Sequence, residues 1–124
     1  MVDQPYPTEW LRGVLDLAVL RILADGPTYG YAIAARLDDE GFGTIKGGTL
    51  YPLLGRAEAA GDVLAHWEAG DSGPGRKYYT LTDPGRVRLT TASARWSEFA
   101  HRTSHFLTPS LNRADAPTPA RSTR

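Results

Sequence analysis

From Glu9 to Ala24 the apolar residues Leu11, Val14, Leu15, Ala18, Val19, Ile22 and Leu23 recur at helical spacing, which predicts one amphipathic helix. Asp25-Gly26-Pro27 then stops it: glycine suits the left-handed position after a helix, and proline cannot continue one. Thr28 stands where an N-cap belongs, before a second helix that runs to Leu37 with Ile33 and Leu37 facing inward. Residues 41–48 read as a loop, and a third helix follows to Ala60. Pro52 is expected in or near its first turn, where a missing N–H costs little, and Gly61 ends it. The period then changes from helical to two. Val63, Ala65 and Trp67 alternate with Leu64 and His66, and Tyr79 and Leu81 with Tyr78 and Thr80. The turn-forming run GDSGPG, Gly70 to Gly75, joins them into a β-hairpin. Asp83-Pro84 opens a last, long helix, since proline is favoured at the first helical position.

The pattern gives a mainly α chain with one small β-hairpin, in the order helix, helix, helix, hairpin, helix. That is the order of a winged helix-turn-helix followed by a long C-terminal helix. Four segments are expected: a flexible lead-in over residues 1–8, a winged domain over 9–83, the long helix over 84–107, and a disordered tail over 108–124. The tail is rich in proline, serine, threonine and alanine, with Leu111 its one sizeable apolar group, too little to order itself by burial.

The long helix carries a stripe of its own. Gly85, Leu89, Ala92, Trp96, Phe99, Thr103 and Phe106 follow one another in alternating steps of four and three, the spacing of a heptad seam. The stripe packs either on the chain's own first helix or on the same helix of a second copy. A small domain with one long amphipathic helix needs a partner to cover both, which favours a homodimer. In a dimer, Trp96 and Phe99 either frame an apolar cavity for a flat aromatic effector or simply fill the seam.

Composition narrows the function classes. At 124 residues the chain holds one domain plus tails. It has no cysteine, which removes disulfides, thiolate metal sites and cysteine nucleophiles together. The longest apolar run, Val14 to Leu23, is broken by Asp16 and Arg21, so no membrane span is expected. Asp3, two prolines and Glu9 near the start do not resemble a signal peptide, and a cytoplasmic location is expected. Formal net charge is zero, with 14 basic and 14 acidic residues, which counts against a simple polyanion binder. A basic face then requires the acids to collect elsewhere. Asp38, Asp39 and Glu40 form one acidic cluster, while Arg76, Lys77, Arg86 and Arg88 form a basic one.

The chemistry concentrates in KGGTLYPLLGRAEAAG, Lys46 to Gly61, and in GRKYYTLT, Gly75 to Thr82. In a winged helix-turn-helix the third helix enters the major groove by its N-terminal residues. Lys46 there neutralises a phosphate, Gly47 and Gly48 allow close approach, and Thr49 and Tyr51 bring hydroxyls to phosphates or base edges. Arg56, one to two turns on, reaches backbone or a guanine edge. For Thr49 the alternative is a plain cap, and for Tyr51 a place in the core. Arg76 and Lys77 begin the wing's second strand and offer a second grip. Tyr78 and Tyr79 point to opposite faces, so at most one meets DNA and the other belongs to the core. Rival chemistry is thin. His101 and His105 stand four apart on a helix with only His66 besides, too few for a metal site. Gly41-Phe42-Gly43 completes no nucleotide-binding spacing and reads as a turn. No nucleophile is arranged with a base, so neither an enzyme nor a cofactor is expected.

The segments GPTYGYAIAARL (Gly26 to Leu37), GGTLYPLLGRAEAAG (Gly47 to Gly61) and GRKYYTLTDPGR (Gly75 to Arg86) resemble the characteristic blocks of the PadR family of bacterial transcriptional regulators. The resemblance spans about residues 10–107. It implies the short branch of that family, a winged helix-turn-helix with one long C-terminal helix that forms the dimer. It also implies a repressor of nearby transport or detoxification genes, released by a small molecule. DNA contacts implied by the resemblance are Tyr29, Gly48, Thr49, Tyr51, Arg76 and Lys77, and the operator is roughly palindromic with half-sites about one DNA turn apart. Two positions depart from the family pattern: Ala57 stands where leucine is usual, and Asp62 where a strand-opening aliphatic is usual. The reading from another class is a winged-helix protein–protein interaction module without DNA binding, which the zero net charge keeps open.

Overall fold

The computed structural model describes residues 4–70 and 73–108. The predicted first helix is two helices, α1 (Thr8–Arg12) and α2 (Leu15–Leu23). Between them the amides of Gly13 and Val14 reach back only three residues, to the Trp10 and Leu11 carbonyls at 3.2 and 3.0 Å. Val14 itself leaves the helical region at φ −130° and ψ −18°. Glycine costs the most backbone entropy in a helix and valine loses side-chain freedom there, so the adjacent pair is where the axis breaks most cheaply. Both pieces still turn their apolar side chains inward, and Leu11, Leu15, Val19, Leu20, Ile22 and Leu23 are all buried.

Thr28 caps nothing. With Tyr29 it forms the two-residue strand β1 (Thr28–Tyr29), and Tyr29, extended at φ −117° and ψ 167°, precedes α3 (Gly30–Asp39). A β-branched residue followed by an aromatic suits a pleated strand. Both α3 and α4 (Gly47–Ala59) end in the same way, on a left-handed glycine. After α3, Gly41 has φ +98°, and the Phe42 amide bonds the Leu37 carbonyl at 3.0 Å. After α4, Gly61 has φ +83°, and the Asp62 amide bonds the Ala57 carbonyl at 2.9 Å. Each is a Schellman closure that only glycine makes without a Cβ penalty. The Gly41-Phe42-Gly43 segment is indeed a turn, with Phe42 packed partly on the core.

Pro52 lies deeper in α4 than predicted, as its sixth residue, in the second turn. It removes the hydrogen bond to the Gly48 carbonyl and crowds it, a cost of about 3 kcal/mol in a helix interior. Leu50, Leu53 and Leu54 are all buried around it, and this packing holds the turn against the local preference.

The strands β2 (Val63–Glu68) and β3 (Arg76–Leu81) form the predicted hairpin, whose residues 71–72 lie outside the described segments. With β1 they make a three-stranded antiparallel sheet of order β1-β3-β2. Val63 lies opposite Leu81, Ala65 opposite Tyr79 and Trp67 opposite Lys77. Val63, Tyr79 and Leu81 are buried, so this face closes the core over α2 and α4, and Tyr79 is the core tyrosine of the adjacent pair. Burial pushes its phenol above the usual range, with Tyr51 and Glu58 adding to the effect.

The last helix, α5 (Asp83–Leu107), starts on a capped turn. The Thr82 hydroxyl donates to the Gly61 carbonyl at 2.6 Å and accepts the Gly85 amide at 3.0 Å, the bond of an N-cap to the third helical residue. Gly85 is pressed against the Asp62 carbonyl, which a Cβ would overlap. Asp62, unusual for the family, is therefore well housed: its carbonyl accepts the Thr82 amide at 3.0 Å and its carboxylate lies 3.4 Å from Arg88. Ala57 packs partly on the core.

The chain divides into two compact units between Thr90 and Thr91. In the first, Leu89 packs partly on the core described above. In the second, Trp96 meets Phe99 edge-on at 6.4 Å, while Phe99 and Phe106 stay 62% and 75% exposed. Among the described residues no helix is long and apolar enough to cross a membrane. Of the expected lead-in, Gln4 reaches the Thr44 carbonyl at 3.4 Å and α1 begins at Thr8. The expected tail lies outside the described residues from position 109 on.

Candidate nucleic-acid interface

The loop after α3 delivers Lys46 in extended conformation, and α4 begins immediately after it. No side chain caps this helix and its first turn contains no acid. The amides of Thr49 and Leu50 both bond the Lys46 carbonyl at 2.9 Å. Those of Gly47 and Gly48, ahead of them, have no acceptor among the described residues. A helix start left in this state presents N–H donors and the positive end of the macrodipole to an anion. Lys46, Gly47, Gly48 and Thr49 are all exposed, and a Cβ on Gly48 would meet nothing within 4 Å. Thr49 therefore does not cap its helix.

Tyr51 belongs neither to the core nor to open solvent. It is 52% exposed, and its phenol lies across the backbone of Gly30, where a Cβ would collide with the hydroxyl. The first residue of α3 thus seats a side chain of α4. Arg56, on the opposite flank of the helix, is exposed and stands 4.0 Å from Asp16 of α2.

The wing's cations are more closely held. The Arg76 guanidinium lies over the Tyr29 ring, 4.3 Å from its centroid, well inside the range of a cation–π contact. Tyr29 in turn tilts against Tyr78 at 5.4 Å, and Tyr78 stacks on His66 at 6.0 Å. Lys77 stands 3.9 Å from Glu58 of α4 and 5.8 Å from the Tyr79 ring.

Two grooves flank α4. One, of about 620 Å³, runs between α4, the start of α3 and the wing, and is lined by Tyr29, Tyr51, Arg76 and Lys77 among others. The other, of about 510 Å³, lies against α1 and α2 and contains Lys46, Gly48, Thr49 and Arg56. The eight predicted contact residues thus collect on the two sides of one helix. The first groove also contains two aromatics that sequence reasoning missed, Tyr31 and Trp67, exposed by 77% and 71%. Alternation along β2 assigns Trp67 to the core face. The strand, however, overhangs the core by its last residues, and no local pattern marks where a core stops. Away from both grooves two acids are matched: Arg36 bonds Glu40 at 3.0 Å and Asp25 at 3.1 Å. Hydrogen bonds from Arg21 and then Arg36 hold the Asp25 carboxyl below the usual range.

Known proteins are similar to this chain in sequence and in fold. Residues 19–91 match the transcriptional regulator PadR-like family. Over 92 residues the chain is 33% identical to a transcriptional regulator of Mycobacterium tuberculosis, covering 74% of this chain and 84% of that one. Its fold is similar to that of a PadR family transcriptional regulator from Eggerthella lenta, with TM-score 0.73, 38% identity, and 81% and 87% of the two chains covered. It is also similar to a PadR-like transcriptional regulator from Bacillus cereus, with TM-score 0.71, 31% identity, and 82% and 98% covered. The matched stretch includes α3, α4, the whole wing and the capped start of α5. On sequence and on fold alike, the chain belongs to the PadR-like family of transcriptional regulators, winged-helix proteins that regulate transcription by binding DNA.

Proposed function

We propose that two copies of this chain form a homodimeric repressor that grips operator DNA with α4 and the wing and lets go when a small aromatic effector binds. The observation that carries the reading is the start of α4: uncapped, acid-free and exposed, with Lys46 before it, while the Arg76 wing lines the groove on the helix's other side. The winged domain of residues 9–83 reads the DNA. Lys46 and the Gly48 and Thr49 backbone take one phosphate, Tyr51 and Arg56 reach further along the groove, and Tyr29, Arg76 and Lys77 form the wing side of the grip. Residues 84–107 join the copies through Ala92, Trp96, Phe99, Thr103 and Phe106, extended by Leu89. The exposure of Phe99 and Phe106 supports this. The Trp96–Phe99 pair offers rings on which a flat aromatic effector stacks. The protein acts in the cytoplasm, on the nucleoid when bound.

A fluorescence anisotropy titration against DNA from upstream of its own gene tests the grip. If a dimer neutralises about 6–10 phosphates, affinity falls by about 10³–10⁵ between 50 and 200 mM salt. Absence of binding, or binding indifferent to salt, refutes the reading. The interaction-module alternative, which the zero net charge favours, gains if reversing the charges of Lys46, Arg76 and Lys77 leaves DNA binding intact. Sedimentation of a Phe99→Arg/Phe106→Arg variant tests the seam, and the dimer should be lost. Quenching of tryptophan fluorescence by aromatic compounds should vanish in Trp96→Ala if the effector stacks there.

A further inference from the structure

On one face of the sheet each strand contributes one ring: Tyr29 from β1, Tyr78 from β3 and His66 from β2. The register pairs Tyr29 with Tyr78 and Tyr78 with His66. Arg76 stands two residues before Tyr78 on β3, so alternation puts it on the same face. Its guanidinium ends the row, 4.3 Å above the Tyr29 ring. Glu68 is paired opposite Arg76 in register, yet its carboxylate is taken up by His66 Nε2 at 3.1 Å. Among the described residues Arg76 makes no ion pair.

A guanidinium that stacks on a ring uses its flat face and leaves its N–H donors, which lie in the plane, unspent. We propose that Tyr29 is a positioning residue. Its ring, backed by Tyr78 and His66, holds the Arg76 guanidinium so that its N–H edge meets a DNA phosphate, and the Tyr29 hydroxyl is not needed. This rests on the DNA-binding reading above, and it replaces the direct Tyr29 contact that the family resemblance implies.

The test uses the full chain, a labelled random-sequence DNA duplex at low salt, and the anisotropy of five variants. Tyr29→Phe, which keeps the ring, should bind within about twofold of the unaltered chain. Tyr29→Leu should bind about three- to tenfold more weakly, the span expected from a lost cation–π contact. In an Arg76→Ala background Tyr29→Leu should cost nothing further. Arg76→Lys keeps the charge and loses the flat stack, so it should weaken binding about as much as Tyr29→Leu, and it does not depend on Tyr29→Leu folding. Equal losses for Phe and Leu would assign the role to the hydroxyl and overturn the proposal. So would an undiminished Leu effect without Arg76, or an Arg76→Lys variant that binds normally. Failure of the unaltered chain to bind any duplex would instead remove the DNA-binding reading itself.

Discussion

The start of α4 and the wing carry cations into the two grooves that flank α4, but they hold them differently. At α4 the donors wait: no cap, no acid in the first turn, and open space above Gly48. In the wing each cation is already engaged, Arg76 with a ring that leaves its donors available and Lys77 with a carboxylate that competes for its charge. The difference separates presence of charge from readiness of charge. A zero net charge is compatible with a DNA grip because it is a sum over the whole chain: acids such as Asp25, Glu40 and Asp62 are held by Arg21, Arg36 and Arg88, away from the start of α4. Lys46 and Arg76, at the candidate interface, are among the cations that make no ion pair among the described residues.

The comparison can be broken most sharply at Gly48. Gly48→Glu puts a carboxylate where a phosphate is expected, and like charges so placed cost several kcal/mol. Binding should fall about 10²-fold or more. The same carboxylate favours the helix N-terminus by about 0.3–1 kcal/mol, so the melting temperature should hold or rise. Next in size, Arg76→Ala and Lys46→Ala should each weaken binding about tenfold at moderate salt. Each removes two cations from a dimer and so flattens the salt dependence by nearly two in log–log slope. Lys77→Ala should cost only about twofold, because Glu58 already meets its charge in an exposed pair worth at most about 1 kcal/mol. Its mirror is Glu58→Gln, which should strengthen binding a few-fold in a titration and lose that gain when Lys77 is absent. The smallest effects contrast two glycines by thermal melting. Gly48→Ala should stabilise the fold by about 0.5–1 kcal/mol, since its Cβ meets nothing. Gly30→Ala should destabilise by about 1 kcal/mol, since its Cβ and the Tyr51 phenol claim the same space.

Much of this molecule was legible in its sequence, and the exceptions have physical causes. Long periodic runs announced α3, α4, the hairpin and α5, because burying one face over many residues imposes a repeat. The strand β1 did not announce itself: two residues carry no period, and its partner, β3, lies about fifty positions away. The break at Gly13-Val14 is marked only by two weak helix formers, and the apolar stripe continues across them. Pro52 lies deeper in α4 than the local rule puts it, because the packing of Leu50, Leu53 and Leu54 overrides that rule. In the candidate interface, residue types and their grouping on α4 and the wing were readable. Which cation is paired, and that Tyr51 is seated on Gly30, depends on contacts between elements that no spacing encodes.

The proposed grip has α4 and the wing hold DNA together, in two copies. It is tested most directly by plotting log affinity against log salt for the unaltered chain and for Lys46→Ala/Arg76→Ala. The expected slope is about −5 to −9 for the unaltered chain, and flatter by about three to four units for the variant, which lacks four cations per dimer. A variant that binds as tightly as the unaltered chain, with the same slope, would contradict it.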